Sequence, residues 1–510
     1  MGEKKLYFIG IDSTPLWIIN ELKRKYDLSG FEHFANNGIL KEMKSTVPPV
    51  TSAAWPSIYT GLEPNEHQIL EFSKIDSNYN KQLIYYDSSS PRPFWEALAS
   101  KGFKCLVITP AVFLEDKKMK NVDMITGWPL KPRYSSRELE AQARRFMFDG
   151  EPDIGIQLNS GRLSLSKASQ LYTKSIRARA KLAQHLISTK EYDMVFVCFT
   201  ETDRMQHYAL SEKDWERTVA PLYVAISDFM NWIFSFSKNN PTKPLLMVAS
   251  DHGAQPTHHK FLPNSWLVEK GYAELRGDLS GAAKPKLGKS EKGIAKKIKV
   301  AISERMASSS MRRKIYDRLP ASLQKMGEKF VEENLDQGEA SEYLKILETD
   351  FDMKNTRAFA SVSNGNMGMI WINDKRFSRP AVSAREKGAL KKELIAELKG
   401  AKSIEKGKLM DNVYDAGKFY RNVTKFIAPD IVFQLTEGYT NDFSHYSKSF
   451  FVKPEAARRG DHTMFGIFGM VGMSAQASAS MKKSELNLCN IAPTITKYFG
   501  IKGQSRNSLI

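Results

Sequence analysis

The chain carries short apolar runs that end on polar or acidic residues, separated by longer stretches with helical spacing. Leu6–Ile11 is one such run and stops at Asp12, the pattern of a parallel strand buried on both faces. Gly102–Thr109, Met194–Phe199 and Pro244–Ala249 repeat it. Between them, Trp17–Lys25, Phe94–Ser100, Leu171–Ser188 and Val219–Phe236 have the spacing of helices. Strands alternating with helices predict a doubly wound α/β sheet. Further on, strands are expected at Arg357–Phe359, Gly368–Ile372, Asp430–Leu435 and Gly466–Val471, with helices at Ala384–Leu398 and Ile491–Phe499.

From about Ala273 to Lys345 the alternation breaks. This stretch is rich in Lys, Ser and Ala, with helical periodicity around Ile294–Met306 and Leu319–Phe330. It reads as a helical insertion (273–345) in a core made of residues 1–272 and 346–510. Charge sharpens that reading. The net charge is +18, and the window Lys284–Lys329 holds fourteen Lys/Arg against four Asp/Glu, a surplus of +10. Such a window suits an anionic substrate, an anionic surface or nucleic acid. A solvated helical face is the plainer alternative.

Composition otherwise excludes little. At 510 residues the chain exceeds one small domain, and 42% hydrophobic with 26% charged residues is ordinary for a globular protein. Cys105, Cys198 and Cys489 lie far apart, form no Cys-x-x-Cys pair, and read as buried thiols of a reducing compartment. The apolar run after the N-terminus ends at Asp12, too early for a signal peptide. No apolar run reaches the roughly 18–20 residues of a spanning segment. A cytoplasmic protein is the expectation.

In open α/β sheets ligands gather beyond the carboxyl ends of the strands. Asp12, Asp203, and Asp251 with His252 follow three of the expected strands, so their side chains should meet at one edge of one sheet. Asp203 and His207 are four apart and share a helix face. Ser250-Asp251-His252-Gly253 puts two ligand types on a tight turn, and Gly460-Asp461-His462 offers a third imidazole. The stretch Val47-Pro48-Pro49-Val50-Thr51 leads through rigid, extended backbone into a small, apolar helix start. A hydroxyl there meets outward-pointing N–H groups that favour an anion, although Thr51 could equally be a simple helix cap.

Together Asp12, Thr51, Asp203, His207, Asp251, His252 and His462 supply three carboxylates, three imidazoles and a hydroxyl. That donor set suits zinc, with manganese as an alternative, and is large enough for two divalent ions.

In order and context these residues resemble the alkaline phosphatase superfamily, in its branch of type I phosphodiesterases, nucleotide pyrophosphatases and related phosphohydrolases and phosphomutases. Thr60-Gly61-Leu62-Glu63-Pro64-Asn65-Glu66-His67, Ala428-Pro429-Asp430 and Ile491-Ala492-Pro493-Thr494 carry the resemblance further. It implies an alkaline-phosphatase-like fold with one metal on Asp203, His207 and His462. A second metal would sit on Asp12, Asp251 and His252 with the Thr51 oxygen. It also implies a Thr51 nucleophile, ten residues before Gly61, with Ser52 as the alternative, and a covalent phospho-threonine intermediate.

The sequence departs from relatives at three points. No Asn stands among Ser52, Ala53, Ala54 and Trp55, where nucleotide pyrophosphatases have one. Thr51 replaces the Cys or Ser of sulfatases, and no Arg near it matches that of alkaline phosphatases proper. The resemblance therefore implies a phosphodiesterase or pyrophosphatase acting on a nucleotide-sugar, nucleotide-alcohol, or glycan or lipid phosphate. A phosphotransferase or mutase would use the same ligands, and a non-catalytic anion-binding protein would use the basic window. His258, His259, Lys260, Arg204 and Arg459 are further candidates for contact with substrate, each with a surface or salt-bridge reading beside it. His67 reads as structural.

Overall fold

The computed structural model describes residues 4–276 and 351–509, apart from 85, 88, 114–118, 129–130, 444–446, 455–458 and 502–507. The expected helices Ile294–Met306 and Leu319–Phe330 and the basic window Lys284–Lys329 lie outside the described residues.

Apolar residues alternate to both faces of the central strands, and the sheet follows from that. In Leu6–Ile11, Leu6 and Phe8 enter one core while Tyr7, Ile9 and Ile11 enter the other. Met194–Phe199 divides in the same way. A strand buried on both faces needs neighbours on both edges and helices above and below. The result is a seven-stranded sheet ordered Gly38–Lys44, Phe465–Val471, Leu245–Ala249, Leu6–Ile11, Met194–Phe199, Cys105–Ile108, Val122–Ile125. The five strands from Leu245–Ala249 onward run parallel; Phe465–Val471 runs against both of its neighbours. The doubly wound, mostly parallel core expected from the sequence is the one observed.

Leu165–Thr189 and Trp215–Lys238 pack together on one face. Ser164 starts the first of these by accepting from the Lys167 N–H at 3.3 Å. Trp215–Lys238 is long and apolar enough to cross a membrane by length and composition, but 61% of its most apolar window is buried within the protein. Its apolar character is that of a core helix. All three cysteines are buried and free.

Two features went unread in the sequence. Gly38–Lys44 alternates buried and polar residues as an edge strand does, and so lacks an apolar run. Ala358–Asn364, Met367–Ile372, Ile431–Leu435 and Met410–Asp415 form a separate antiparallel sheet with its own apolar core. The Ala428-Pro429-Asp430 segment belongs there. Asp430 accepts from the Ile372 N–H at 2.8 Å and pairs with Lys387 at 2.8 Å and with Arg376.

One buried ion pair braces the edge of the central sheet where the acidic residues collect. Arg179 meets Glu201 through two bonds of 2.9 Å, both side chains being out of solvent, and also donates to the Cys198 carbonyl at 2.8 Å. Removing one partner strands a charge. Glu201→Ala is therefore expected to cost about 3–5 kcal/mol in denaturant unfolding. A loss below 1 kcal/mol would show that water reaches Arg179.

Candidate active site

Four chain segments deliver the candidate residues to one place. Asp12 stands just past Leu6–Ile11, and its N–H still bonds the Phe199 carbonyl at 2.8 Å. The helix Glu201–Ala209 follows Met194–Phe199 directly and presents Asp203 and His207 one turn apart. Asp251 and His252 form the turn after Leu245–Ala249. His462 comes from far downstream on Gly460–Thr463, which pairs antiparallel with Gly253–Pro256 so that His462 faces Ala254. The His252 and His462 rings lie 3.9 Å apart, centre to centre.

Thr51 opens the helix Thr51–Thr60, and all ten of its residues are buried. The cap is Val50, in extended backbone, so Thr51 is the first helical residue and not the cap. Gly61 ends the helix at φ 73°, and a Cβ there would stand 2.6 Å from Pro493 Cδ. That contact explains why the Thr60-Gly61 and Ile491–Thr494 segments belong together: one packs against the other.

Two groups of donor atoms result. His207 Nε2, His462 Nε2 and Asp203 Oδ1 lie 3.1, 3.2 and 3.4 Å from one another. Ligands about 2.0–2.1 Å from a tetrahedral cation stand about 3.3 Å apart, so one ion fits between them. In the other group His252 Nε2 lies 3.1 Å from Asp251 Oδ2, 3.2 Å from Thr51 Oγ1 and 3.6 Å from Asp12 Oδ1. Asp203 is close to both groups, since it also shares a 4.8 Å sphere with Asp12 and His252. All seven residues are buried.

The hydrogen-bond partners fix which ring atoms are free. His207 Nδ1 lies 2.8 Å from the Gly460 carbonyl and His252 Nδ1 3.1 Å from the Gly253 carbonyl. A carbonyl only accepts, so each Nδ1 carries the proton and each Nε2 turns a lone pair toward the cluster. Asp12 Oδ1, Asp251 Oδ2 and His462 Nδ1 are buried with no hydrogen-bond partner among the described residues. Unpartnered buried oxygens call for an explanation, and divalent cations supply one.

Electrostatics point the same way. Burial, then the charges of Asp251 and Asp203, pushes the Asp12 carboxyl well above the usual range. Burial, with the Asp203 charge, does the same to Asp251. Burial would also raise Asp203, but the His207 and His462 rings reverse this and hold it well below the ordinary value. Burial, then His462, depresses His252. Three crowded, buried carboxylates beside imidazole nitrogens are a donor set that could hold a cation.

The remaining candidates fall outside both groups. His258 is exposed, and His259 lies 3.3 Å from Glu405. Lys260 pairs with Asp442 at 3.1 Å and Arg459 with Glu212 at 3.0 Å. Arg204 stacks on Trp128 at 3.7 Å and pairs with Glu151 at 3.4 Å.

His67 is structural. Its Nδ1 accepts from the Ile69 N–H at 3.2 Å, which leaves Nε2 to donate to Ser57 at 3.1 Å. Burial pushes its pKa down to about 3. Because the unfolded imidazole takes up its proton near pH 6.5, the folded state loses stability as pH falls from about 6.5 toward 3. His67→Gln is expected to flatten that decline in a Tm-against-pH series while leaving activity near neutral pH within about threefold of wild type. An unchanged acid slope would show that the charged ring is tolerated in the fold.

Sequence reasoning missed Trp55, whose indole Nε1 donates to Asp12 Oδ2 at 3.1 Å. No local signal marks it, because the contact exists only after the helix docks under the first strand. Thr202 (Oγ1 to the Asp12 carbonyl, 2.6 Å) and Ser13 (N–H to Asp251 Oδ1, 3.1 Å) were missed for the same reason.

Comparison with known proteins bears on the family and the fold. The sequence model of the type I phosphodiesterase/nucleotide pyrophosphatase family matches residues 6–376. No curated protein matches the chain by sequence. Among solved structures, phosphonoacetate hydrolase from Sinorhizobium meliloti 1021, in complex with phosphonoacetate, superposes with a TM-score of 0.51. The identity is 11%, over 96% of this chain and 94% of that one. An inactive form of murine ectonucleotide pyrophosphatase/phosphodiesterase 5, in complex with AMP, gives a TM-score of 0.50. The identity there is 10%, over 99% of this chain and 97% of that one. At such identities the likeness is one of fold. The family match covers most of the chain, and the chain therefore belongs to the type I phosphodiesterase/nucleotide pyrophosphatase family of phosphoester hydrolases.

Proposed function

We propose that this protein is a metal-dependent phosphodiesterase or pyrophosphatase. It cleaves a diester or anhydride of a small phosphorylated molecule through a covalent intermediate on Thr51. The observation that carries this reading is the position of Thr51 Oγ1, on the first residue of a buried helix and 3.2 Å from His252 Nε2. Two divalent ions on the two donor groups, zinc by donor type with manganese as the alternative, would lower the pKa of a hydroxyl and offset charge on phosphorus.

Each residue then has a part. Asp203, His207 and His462 form one cation-binding face, and Asp12, Asp251 and His252 the other. Thr51 Oγ1 forms a bond to phosphorus as the phosphorus–oxygen bond to the leaving group breaks, and the hydroxyl proton ends on that leaving oxygen. Water then attacks the phospho-threonine, the phosphorus–Oγ1 bond breaks, and Oγ1 regains a proton. The Ala53 and Ala54 N–H groups are taken by the Val50 carbonyl at 3.0 and 2.9 Å, and those of Thr51 and Ser52 at the helix start would help hold the developing oxyanion. Neighbours of the fold hold phosphonoacetate and AMP. Nucleotide-sugar, nucleotide-alcohol, or glycan or lipid phosphate substrates all present the same linkage. Residues 1–272 and 346–510 would form the catalytic core, with 273–345 as a basic insertion in it.

The test compares bis-p-nitrophenyl phosphate with p-nitrophenyl phosphate in the presence of zinc or manganese. Faster diester cleavage is expected. Preference for the monoester would overturn the diesterase reading, and transfer to an added alcohol in place of water would make the enzyme a phosphotransferase.

A further inference from the structure

We infer that Trp55 is a positioning residue of the metal centre: its indole N–H claims one oxygen of Asp12, so that the other oxygen alone faces the cation. This rests on the metal-dependent reading above.

The indole Nε1 donates to Asp12 Oδ2 at 3.1 Å, and both side chains are essentially out of solvent. Asp12 Oδ1 is left without a hydrogen-bond partner among the described residues, 3.6 Å from His252 Nε2. An indole has one donor and no acceptor, so it can neither ligate a metal nor act as a base. What it can do is fix which carboxylate oxygen is free and where that oxygen points.

The arrangement is built into two separate elements. Trp55 lies four residues after Thr51 on the same helix, so one rigid turn relates the hydroxyl to the group holding Asp12. Along the first strand, Gly10 and Asp12 share a face with Leu6 and Phe8. Gly10 leaves room for the indole: a Cβ there would stand 2.7 Å from Trp55 Cη2. Phe196 and Tyr59 flank the ring at 6.1 and 5.9 Å, centre to centre. The indole is thus wedged under the strand that carries the ligand, and its one polar atom is spent on that ligand.

Apolar packing alone would also bury this ring, so the test must remove the N–H and keep the area. Site-specific replacement of Trp55 by 3-benzothienylalanine does this, exchanging N–H for sulfur in a ring of nearly the same shape. Zinc is titrated into chelator-stripped wild-type and substituted protein by calorimetry, with Trp55→Phe as a second variant and Tm of the metal-free forms as control. Loss of such an outer partner weakens a metal site by about 10–100-fold. The expected result is that loss at one class of site in the benzothienyl protein, with the other class unchanged, with the metal-free form still folded at the titration temperature and with kcat falling more than KM changes. Unchanged zinc affinity in the benzothienyl protein, beside normal binding by wild type, would overturn the role of Trp55 and leave the metal-dependent reading standing. Wild-type protein that binds neither zinc nor manganese would overturn both.

Discussion

Thr51→Ala is expected to lower kcat by about three orders of magnitude or more, with zinc still binding at the Asp203, His207 and His462 group and thermal stability close to wild type. Removal of a nucleophile that forms a covalent intermediate commonly costs 10³–10⁶-fold, because the remaining groups catalyse only direct attack by water. The stability expectation follows from placement. Thr51 is not the helix cap, and among the described residues its hydroxyl bonds the His252 ring and no backbone group of the helix, so the helix keeps its start without it. Ser52→Ala is the control. The Ser52 hydroxyl is buried without a hydrogen-bond partner among the described residues, and its loss should change kcat by no more than about tenfold. Steady-state kinetics on both variants, with mass spectrometry for a trapped phospho-residue, decide the matter. Label on residue 52, or a Thr51→Ala enzyme within tenfold of wild type, would move the nucleophile to Ser52.

Chelation is expected to abolish turnover and to lower Tm, and added zinc or manganese should restore both. Ion at 100 times its dissociation constant stabilises by about 2.7 kcal/mol. Asp12→Asn separates ligand from liability. In the metal-free protein, burial and neighbouring charge raise the folded pKa of Asp12 and Asp251. An acid raised on folding holds its proton longer in the native state, so its contribution is full below about pH 3.9 and is lost as pH climbs through the folded value. His252 acts oppositely. Its folded pKa is depressed, so its neutral burial costs stability only below about pH 6.5, where the unfolded ring is charged. At pH 8 the carboxylates therefore act alone. There, metal-free Asp12→Asn should exceed wild type by on the order of 1 kcal/mol, a gain that shrinks toward pH 4. With zinc present the order should reverse, because a ligand has been removed. Scanning calorimetry at the two pH values, with and without chelator, checks this. A variant no more stable than wild type at pH 8 without metal would mean that the carboxylate cluster is not strained.

The convergence of the candidate residues was legible because the sheet obeys simple rules. Continuous apolar runs, buried on both faces, identified Leu6–Ile11, Met194–Phe199 and Pro244–Ala249, and the acidic residues past their ends had to converge. Asp203 and His207 were readable from their spacing alone. The sequence did not reveal how His462 reaches them, since that depends on the two-strand pairing of Gly460–Thr463 with Gly253–Pro256. Nor could it reveal that Asp203 stands close to both donor groups, or that Trp55 touches Asp12, because such contacts are set by how helices dock. Gly38–Lys44 escaped notice because an edge strand with polar positions has no long apolar run to announce it.

The place of Phe465–Val471 in the sheet has a consequence for biosynthesis. This strand enters late in the chain yet lies inside the sheet, between Leu245–Ala249 and Gly38–Lys44, and among the described strands it is the one that pairs with the latter. At about 5–20 residues per second, a ribosome needs on the order of tens of seconds to travel from Ala249 to Phe465. Throughout that interval the slot between the two earlier strands stays open, with unpaired edges of the kind that chaperones shield and aggregates exploit. His462, three residues before Phe465–Val471, arrives just as late. Nascent chains should therefore remain catalytically silent until synthesis is almost complete.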